Sequence, residues 1–293
     1  MARFDHFLAI DWSGAKGPRQ KGIAAAIAVA GSGPPVLIAP GRNWAREDIL
    51  HLLREDLPAN TLVGMDLGIA LPFADCDAYF PGTDESPPDA RSLWAMIDQI
   101  CADDPHLEAS SFVDHPQLST YYRRSGGREG QRFRCDGAEH GRGRFRVTEH
   151  RQGKMGCKPY SNFNLVGAAQ VGKSSLTGMR LLHQLGGAIP VWPVDPLPSS
   201  GSVIVEIYTT LAALEAQRSA ARSKIRSCEE LDIALKALGC AGVGESGPID
   251  DHSSDALLTA AWLRKVADEP ARWAPEGLSD KIARTEGWTF GAV

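Results

Sequence analysis

The sequence predicts an α/β fold in which helices flank a mixed β-sheet, with elements in the order β-β-β-α-β-α-β-α. Two observations lead to this prediction. Short apolar runs rich in Val, Ile and Ala alternate with longer segments whose apolar residues recur at every third or fourth position. Glycine- and proline-rich breaks separate these segments and mark the turns between them. Strands and helices that alternate along a chain pack as a sheet with helices on its faces.

The N-terminal part of the chain is predicted to run β-β-β-α-β. The predicted strands cover residues 7–11, 22–30, 35–39 and 61–66. A helix is predicted over residues 45–57, where the apolar side chains share one face. Asn43 or Asp48 is expected to cap its first turn.

The rest of the chain adds further helices, one clear strand and an insertion. Helices are predicted over residues 90–103, 211–222, 229–238 and 250–266, and a strand over 202–208. Residues 163–185 are predicted to form a helix, or a strand followed by a helix. Residues 105–160 lack a clear period, and we interpret them as an insertion into a single domain that covers residues 1–293.

Composition places the chain among soluble globular proteins. Hydrophobic residues make up 43% of the 293 residues and charged residues 23%, so a sizeable core can be buried. No apolar run is long enough to cross a membrane, and the first residues lack the apolar stretch of a signal peptide. The six cysteines form no C-x-x-C pair. We therefore expect a cytoplasmic protein with reduced thiols and no membrane partner.

A basic segment interrupts this otherwise acidic chain. Residues 123–158 contain eleven Lys or Arg and four Asp or Glu, a local net charge of +7 in a chain whose net charge is −5. Such a segment is typical of a polyanion contact, so nucleic acid is the expected partner, and Arg123 and Arg124 are candidate substrate-binding residues. The alternative interpretation is a solvated, glycine-rich loop.

Acidic residues end or follow the apolar runs at several places. Asp11, Asp66 and Glu206 stand at or near the ends of predicted strands, and Asp251 and Asp255 lie one turn apart at the start of the last long helix. An ionised carboxylate beside a buried strand is costly unless a partner neutralises it. Because several such acids would meet at one edge of a sheet, we predict a Mg²⁺ or Mn²⁺ site formed by Asp11, Asp66, Glu206 and Asp255.

The predicted chemistry is two-metal hydrolysis of phosphodiester bonds. Asp11 would bridge both ions, while Asp66 and Asp255 would each hold one. His252 or Asp251 would position or deprotonate the attacking water.

The turn after the first strand is the second part of the predicted site. Ser13 and Lys16 lie in this turn, and we expect them to contact a phosphate group of the substrate. The alternative for Lys16 is an ordinary surface lysine.

These acids also have plain structural interpretations. Asp11 and Asp66 could cap turns, and Glu206 could form a salt bridge with an arginine. Asp251 could stabilise the positive end of a helix dipole. Asp255 lies a turn deeper in its helix, where the dipole explanation weakens.

Five short motifs are similar to those of a family of uncharacterised bacterial and archaeal proteins, grouped with predicted nucleases of the RNase H fold. The motifs cover residues 10–15 (IDWSGA), 65–72 (MDLGIALP), 206–208 (EIY), 251–256 (DHSSDA) and 286–290 (EGWTF). His252 and Asp255 also resemble the acid pair on a helix of RuvC-type Holliday-junction resolvases, with Asp11 and Asp66 matching the strand acids of those enzymes. The resemblance implies an RNase H-like mixed sheet and a metal-dependent nuclease that acts on DNA or RNA. Glu206 has no clear counterpart in those resolvases.

Three further patterns indicate other chemistry. Residues 167–174 match the phosphate-loop pattern G-x-x-x-x-G-K-[ST], which needs a buried strand before the loop and a helix after it. The alternative there is a helix whose small residues approach the core. The turn at residues 11–15 is similar to the phosphate turn of actin-like sugar kinases. Zinc ligands are conceivable at four positions, although their spacing fits no common finger, namely Cys135, His140, His150 and Cys157.

The sequence therefore predicts a metal-dependent nuclease of RNase H-like fold with a basic insertion. An actin-like or phosphate-loop ATP-using enzyme is one alternative. A non-catalytic nucleic-acid-binding protein of the same fold is the other.

Overall fold

Six strands within the described residues form one mixed β-sheet. The computed structural model describes residues 3–84, 86–134, 142–166, 170–219 and 224–293. Strands β1 to β6 span His6–Asp11, Ala24–Val29, Val36–Leu37, Thr61–Asp66, Val191–Trp192 and Val203–Glu206. Their order across the sheet is β3-β2-β1-β4-β6-β5. Strand β2 runs antiparallel to β1 and β3, whereas β1, β4, β6 and β5 run parallel.

Ten α-helices lie within the same described ranges. In chain order, α1 to α10 span Arg46–His51, Ala90–Ile100, Ser110–Asp114, Val147–Lys154, Val171–Gln184, Thr209–Glu215, Cys228–Ala237, Asp251–Val266, Pro270–Trp273 and Asp280–Thr285. Helix α1 continues as a π-helical turn over Leu52–Asp56. None of the helices in the described ranges is long and apolar enough to cross a membrane.

Apolar side chains cover both faces of the sheet. In β1, Leu8 and Ile10 belong to one core and Phe7 and Ala9 to the other, because successive side chains of a strand point to opposite faces. Helices α1, α2 and α5 contribute to the first core, and α6, α7 and α8 to the second. Strands that are buried on both sides need continuous apolar sequence, which explains the unbroken apolar runs of β1 and β4.

The predicted mixed sheet flanked by helices is confirmed, and β1, β4 and α8 lie within one residue of their predicted ends. Strand β5 is absent from the sequence prediction because it contains two residues between prolines. The helix predicted over 211–222 is wrong at its end, since α6 stops at Glu215. Asp48 performs the predicted cap, because its carboxylate accepts a hydrogen bond from the Ala45 amide at 2.9 Å.

The register of the sheet brings the strand acids to one edge. Asp11 is the direct partner of Asp66 in the parallel β1–β4 pair, and both residues end their strands. Neighbouring strands lie about 4.8 Å apart. Glu206 ends β6 one strand further along, opposite Met65 of β4. Helix α8 packs across β1 and β2, and its first turns therefore lie near the same edge.

Some arginines of the insertion at residues 105–160 are buried inside the protein. Arg144 is fully buried, forms an ion pair with Asp75, and donates hydrogen bonds to the carbonyls of Pro72, Ala78 and Tyr79. A polyanion contact needs exposed cations, and the burial of Arg144 removes it from such a surface. Local composition therefore overstates the positive charge that this segment presents to solvent.

Replacing Arg144 by methionine is expected to destabilise the fold by about 3–5 kcal/mol, because Asp75 and three carbonyl acceptors would lose a buried partner. The free energy of unfolding, measured by urea titration, checks this value. Arg142→Met is the matched control, since Arg142 is exposed two residues earlier in the chain. Equal stability of the two variants would contradict the structural role of Arg144.

Candidate functional site

A cleft of 690 Å³ opens where the carboxyl ends of β1, β4 and β6 meet. In α/β proteins ligands bind beyond these ends of the strands. The turn after β1, the loop after β4 and the first turns of α5 and α8 form its walls. The polar and charged side chains that line it include Ser13, Asp66, Arg146, Glu206, His252 and Asp255.

Asp66 lines the candidate site, and its partner Asp11 lies beside it in the sheet. Asp11 is 8% exposed, and burial raises its pKa, although a hydrogen bond with His252 opposes this shift. Burial raises the pKa of Asp66 well above its ordinary value, and the charges of Asp11, Asp255 and Glu206 raise it further. Each carboxylate is therefore difficult to ionise while the others carry a charge.

Asp255 adds a third carboxylate from helix α8. Burial raises the pKa of Asp255 to about 7, with a second contribution from the charge of Asp11. The sequence predicted this residue from its position one turn inside the helix, and the structure brings it into the cleft with Asp66. Two adjacent strand ends and one helix thus direct three acids toward a common volume.

His252 lies against Asp11 at the mouth of this volume. The distance from its Nδ1 atom to the Asp11 Oδ2 atom is 2.6 Å, and the His252 side chain is 48% exposed. The hydrogen bond with Asp11 raises the pKa of His252, although partial burial lowers it. The structure thus places His252, a predicted proton-transfer residue, in contact with Asp11.

Asp251 occupies a different environment from its helix neighbours. Its carboxylate pairs with Lys224 and, at 3.6 Å, with Arg226, and it does not line the cleft. The hydrogen bond from Lys224 holds the pKa of Asp251 below its ordinary value. A carboxylate that is already paired and acidic is a poor proton acceptor, so the structure does not support the predicted role of Asp251 as a base.

Glu206 is held by protein groups on all sides. Its carboxylate accepts hydrogen bonds from the Ile69 amide at 2.8 Å, from the two terminal nitrogens of Arg146 at 2.8 and 2.6 Å, and from the Thr289 hydroxyl. Glu149 binds the same guanidinium. For Glu206 the salt-bridge interpretation therefore describes the structure, and the predicted role of Glu206 as a metal ligand is not supported.

Arg146 and Glu149 are site residues that sequence reasoning missed. Arg146 is 1% exposed and Glu149 4%. Burial lowers the pKa of Arg146, but the charges of Glu149 and Glu206 more than compensate and raise it overall. The only local signal was an arginine three residues before a glutamate, a spacing that brings side chains together on a helix.

A buried arginine shapes the turn after β1. Arg46 is 1% exposed and donates to the carbonyls of Ser13, Ala15 and His106. Burial lowers the pKa of Arg46 to about 10. Because three carbonyl groups accept from one planar guanidinium, the turn is fixed with Ser13 facing the cleft.

Gly14 brings this turn into contact with helix α5. A Cβ atom on Gly14 would lie 2.3 Å from the carbonyl carbon of Lys173 and 2.4 Å from the amide nitrogen of Ser174. Any side chain there would displace the main chain of α5. Two segments predicted as separate phosphate-binding elements therefore pack directly against each other.

The predicted substrate-binding residues do not lie together in the structure. Ser13 lines the cleft, whereas Lys16 and Arg124 line a second pocket beside it. Arg123 lines neither of these two cavities. Its amide donates a hydrogen bond to the Phe163 carbonyl, and its carbonyl accepts one from the Leu165 amide. The four basic and polar candidates therefore do not form one surface.

The phosphate-loop pattern lacks its structural context in the described part of the chain. Residues 167–169 lie outside the described residues, and the described segment 159–166 contains no strand of the sheet. Lys173 and Ser174 belong to the first turn of α5. The described part of the pattern agrees with the alternative of a small-residue helix near the core, since a Cβ atom on Gly172 would lie 2.4 Å from the carbonyl oxygen of Asn162.

Two of the four candidate zinc ligands lie outside the described residues. These are Cys135 and His140, while His150 is exposed and Cys157 is buried. Across the described ranges, no three His, Cys, Asp or Glu side chains are already arranged to hold a metal ion.

The chemistry of the three carboxylates nevertheless fits a hard divalent cation. Asp11, Asp66 and Asp255 offer oxygen ligands, which Mg²⁺ and Mn²⁺ prefer. Burial raises all three pKa values, the charge of Asp11 raises those of Asp66 and Asp255 further, and a doubly charged ion would relieve that repulsion. Asp11 carries a contact with His252 on its Oδ2 atom, so small side-chain rotations would accompany metal binding.

Asp255→Asn is expected to stabilise the metal-free protein above neutral pH. The pKa of Asp255 is about 7 in the folded protein and about 4 in the unfolded chain, so folding is favoured by protonation and stability falls as pH rises through this window. The variant should gain on the order of 2–4 kcal/mol at pH 8 and little at pH 4. Urea unfolding in the presence of a chelator measures the difference.

Asp268→Asn is the control for this titration, because Asp268 is exposed just after the same helix. An Asp255→Asn profile that runs parallel to that of the control would show that Asp255 titrates normally.

Comparisons of the chain with protein-family models, curated proteins and solved structures find no match. A functional conclusion therefore depends on the geometry of this cleft. Its defining feature is the pair of carboxylates Asp66 and Asp255 in its lining, with Asp11 beside them, all with pKa values raised by burial.

Proposed function

We propose that this protein is a Mg²⁺- or Mn²⁺-dependent nuclease that hydrolyses phosphodiester bonds in DNA or RNA. The observation that carries the proposal is that Asp66 and Asp255 line one cleft and Asp11 pairs with Asp66 in the sheet, with all three pKa values raised by burial and those of Asp66 and Asp255 raised further by the charge of Asp11. Acids that repel each other cost folding free energy. A catalytic cation explains why such a cost is tolerated.

The topology supports an RNase H-like interpretation of the sheet. Strand β2 lies antiparallel between β3 and β1, and β4 pairs parallel with the other edge of β1. The acids end β1 and β4, and the third acid lies on a helix packed across β1. This arrangement agrees with the resemblance of residues 10–15, 65–72 and 251–256 to predicted nucleases of that fold.

Asp11, Asp66 and Asp255 are the residues that would hold the metal ions. A divalent ion in this site supplies charge for the phosphate oxygens and increases the acidity of bound water. The protein itself supplies the three carboxylates, a fixed turn at Ser13 and a cleft large enough for a nucleotide.

His252 is the best candidate for proton transfer. In the tautomer that carries its proton on Nδ1, His252 donates to Asp11 Oδ2 and leaves Nε2 to accept a proton from water. Asp11 raises the pKa of His252, which makes the ring a stronger base, and the ring is free to accept a proton only above that pKa. Because half of the ring is exposed, the proton can pass on to solvent.

The two alternative functions have less support from the structure. A phosphate-loop enzyme needs a strand before its loop, and the described residues 159–166 provide none. A non-catalytic nucleic-acid-binding protein would have no use for three repelling carboxylates. An ATP-using enzyme would bind Mg–ATP and lose that affinity in Lys173→Ala, which distinguishes it from a nuclease.

Cleavage of fluorescent DNA and RNA oligonucleotides should require added Mg²⁺ or Mn²⁺ and should fall in Asp66→Asn by about 100-fold or more, because one metal-holding carboxylate is lost. The exposed Asp268→Asn variant should retain full activity and so controls for charge and preparation. Single strands, duplexes and four-way junctions should be tested in parallel.

Metal binding gives a second readout for the same variants. Mn²⁺ titration calorimetry should show heat with the wild type and the Asp268→Asn control, and much less with Asp66→Asn. Metal-independent cleavage, or cleavage that survives Asp11→Asn and Asp66→Asn, would refute the mechanism.

A further inference from the structure

A second pocket of 320 Å³ lies beside the main cleft, and Gly14 belongs to the walls of both. The turn after β1 and the first turn of α5 meet at Gly14 and form the partition between the two cavities. A flexible ligand that leaves the main cleft across this partition would enter the second pocket.

Cations outnumber acids in the second pocket. Its charged lining residues are Lys16, Arg124, Arg128, Lys173, Glu108 and Asp114. Both acids already have protein partners. Asp114 pairs with Arg124, and Glu108 accepts a hydrogen bond from the Gly17 amide at 2.6 Å.

Lys16 and Lys173 are the two cations available to a ligand. Among the described residues, neither side chain has a hydrogen bond or an ion pair. Lys16 is exposed and Lys173 is half-buried at the pocket wall. Lys16 reaches the pocket from the turn after β1, and Lys173 reaches it from α5.

The shape of this pocket suits a compact anion. Ala109, Val113 and Leu165 give it an apolar side, while the ammonium groups and the amino end of the 14-residue helix α5 provide positive potential. A phosphate group combines compact size with the charge that two lysines would neutralise.

We propose that the second pocket binds a backbone phosphate of the same nucleic-acid strand whose phosphodiester bond lies at Asp11, Asp66 and Asp255. This inference rests on the proposed nuclease function. It names the substrate class as a polynucleotide strand that extends at least one phosphate past the cleaved bond, and it assigns Lys16 and Lys173 as substrate-binding residues.

The test compares Lys16→Ala/Lys173→Ala with the wild type on two substrates. The affinity for a fluorescent single-stranded oligonucleotide, measured by anisotropy with Ca²⁺ in place of Mg²⁺, should fall by about tenfold or more, and the slope of log affinity against log salt should decrease by about two. Turnover of bis(p-nitrophenyl) phosphate, whose single phosphate cannot occupy both cavities at once, should change far less than the oligonucleotide affinity does.

Lys236→Ala/Lys281→Ala is the matched control, since it also removes two exposed lysines, and these lie outside residues 123–158 and line neither pocket described here. Its salt slope and oligonucleotide affinity should equal those of the wild type. An unchanged slope and affinity in the Lys16/Lys173 variant, or a slope change equal to that of the control, would overturn the inference. If the alanine variant unfolds at a lower temperature, Lys16→Gln/Lys173→Gln replaces it.

The two proposals fail in different ways. If the wild type cleaves no substrate but binds oligonucleotide, the nuclease function is refuted, and the binding comparison alone decides the phosphate pocket. Loss of ester turnover in the folded double variant would assign the lysines to the main cleft instead and so reject the second pocket. A wild type that fails to bind oligonucleotide rejects it as well.

Discussion

The ion pair between Arg146 and Glu206 is the interaction on which the cleft depends. Glu206 ends β6, and its carboxylate also accepts from the Ile69 amide and the Thr289 hydroxyl. One buried carboxylate thus connects the central sheet, the loop after β4, the insertion and the C-terminal segment. A buried charge tolerates no missing partner, so these four parts of the chain are held in one arrangement. The walls of the cleft have their positions because of this arrangement.

The strand register imposes a second constraint, which works against stability. Asp11 and Asp66 are direct neighbours across β1 and β4, and Asp255 is added to them from α8. The protein therefore combines a neutralised acid, Glu206, with three nearby acids whose pKa values are raised by burial and, for Asp66 and Asp255, by the charge of Asp11. Destabilised groups beside a rigid and fully paired support are typical of functional sites, where the surrounding structure compensates for local repulsion.

Local sequence was sufficient to predict some of these residues and insufficient for others. Asp11 and Asp66 were predictable because an apolar run that ends in an acid leaves little choice about where the carboxylate lies. Glu206 shows the same local pattern, but its partner Arg146 lies 60 residues away in the chain. The same limit applies to Arg144, whose partner Asp75 is 69 residues away. Composition counts such arginines as surface charge, and only the tertiary structure reveals that they are internal.

The segment at residues 286–290 is synthesised after the strands that it contacts, and this order affects when the cleft can form. The Glu286 carboxylate accepts from the amides of Phe73, Ala74 and Val147, and Thr289 donates to Glu206. All six strands leave the ribosome before this segment does. A nascent chain can therefore assemble its sheet before the contacts of Glu286 and Thr289 exist. The loop after β4 and the carboxylate of Glu206 should reach their final positions only after residues 286–290 have been synthesised.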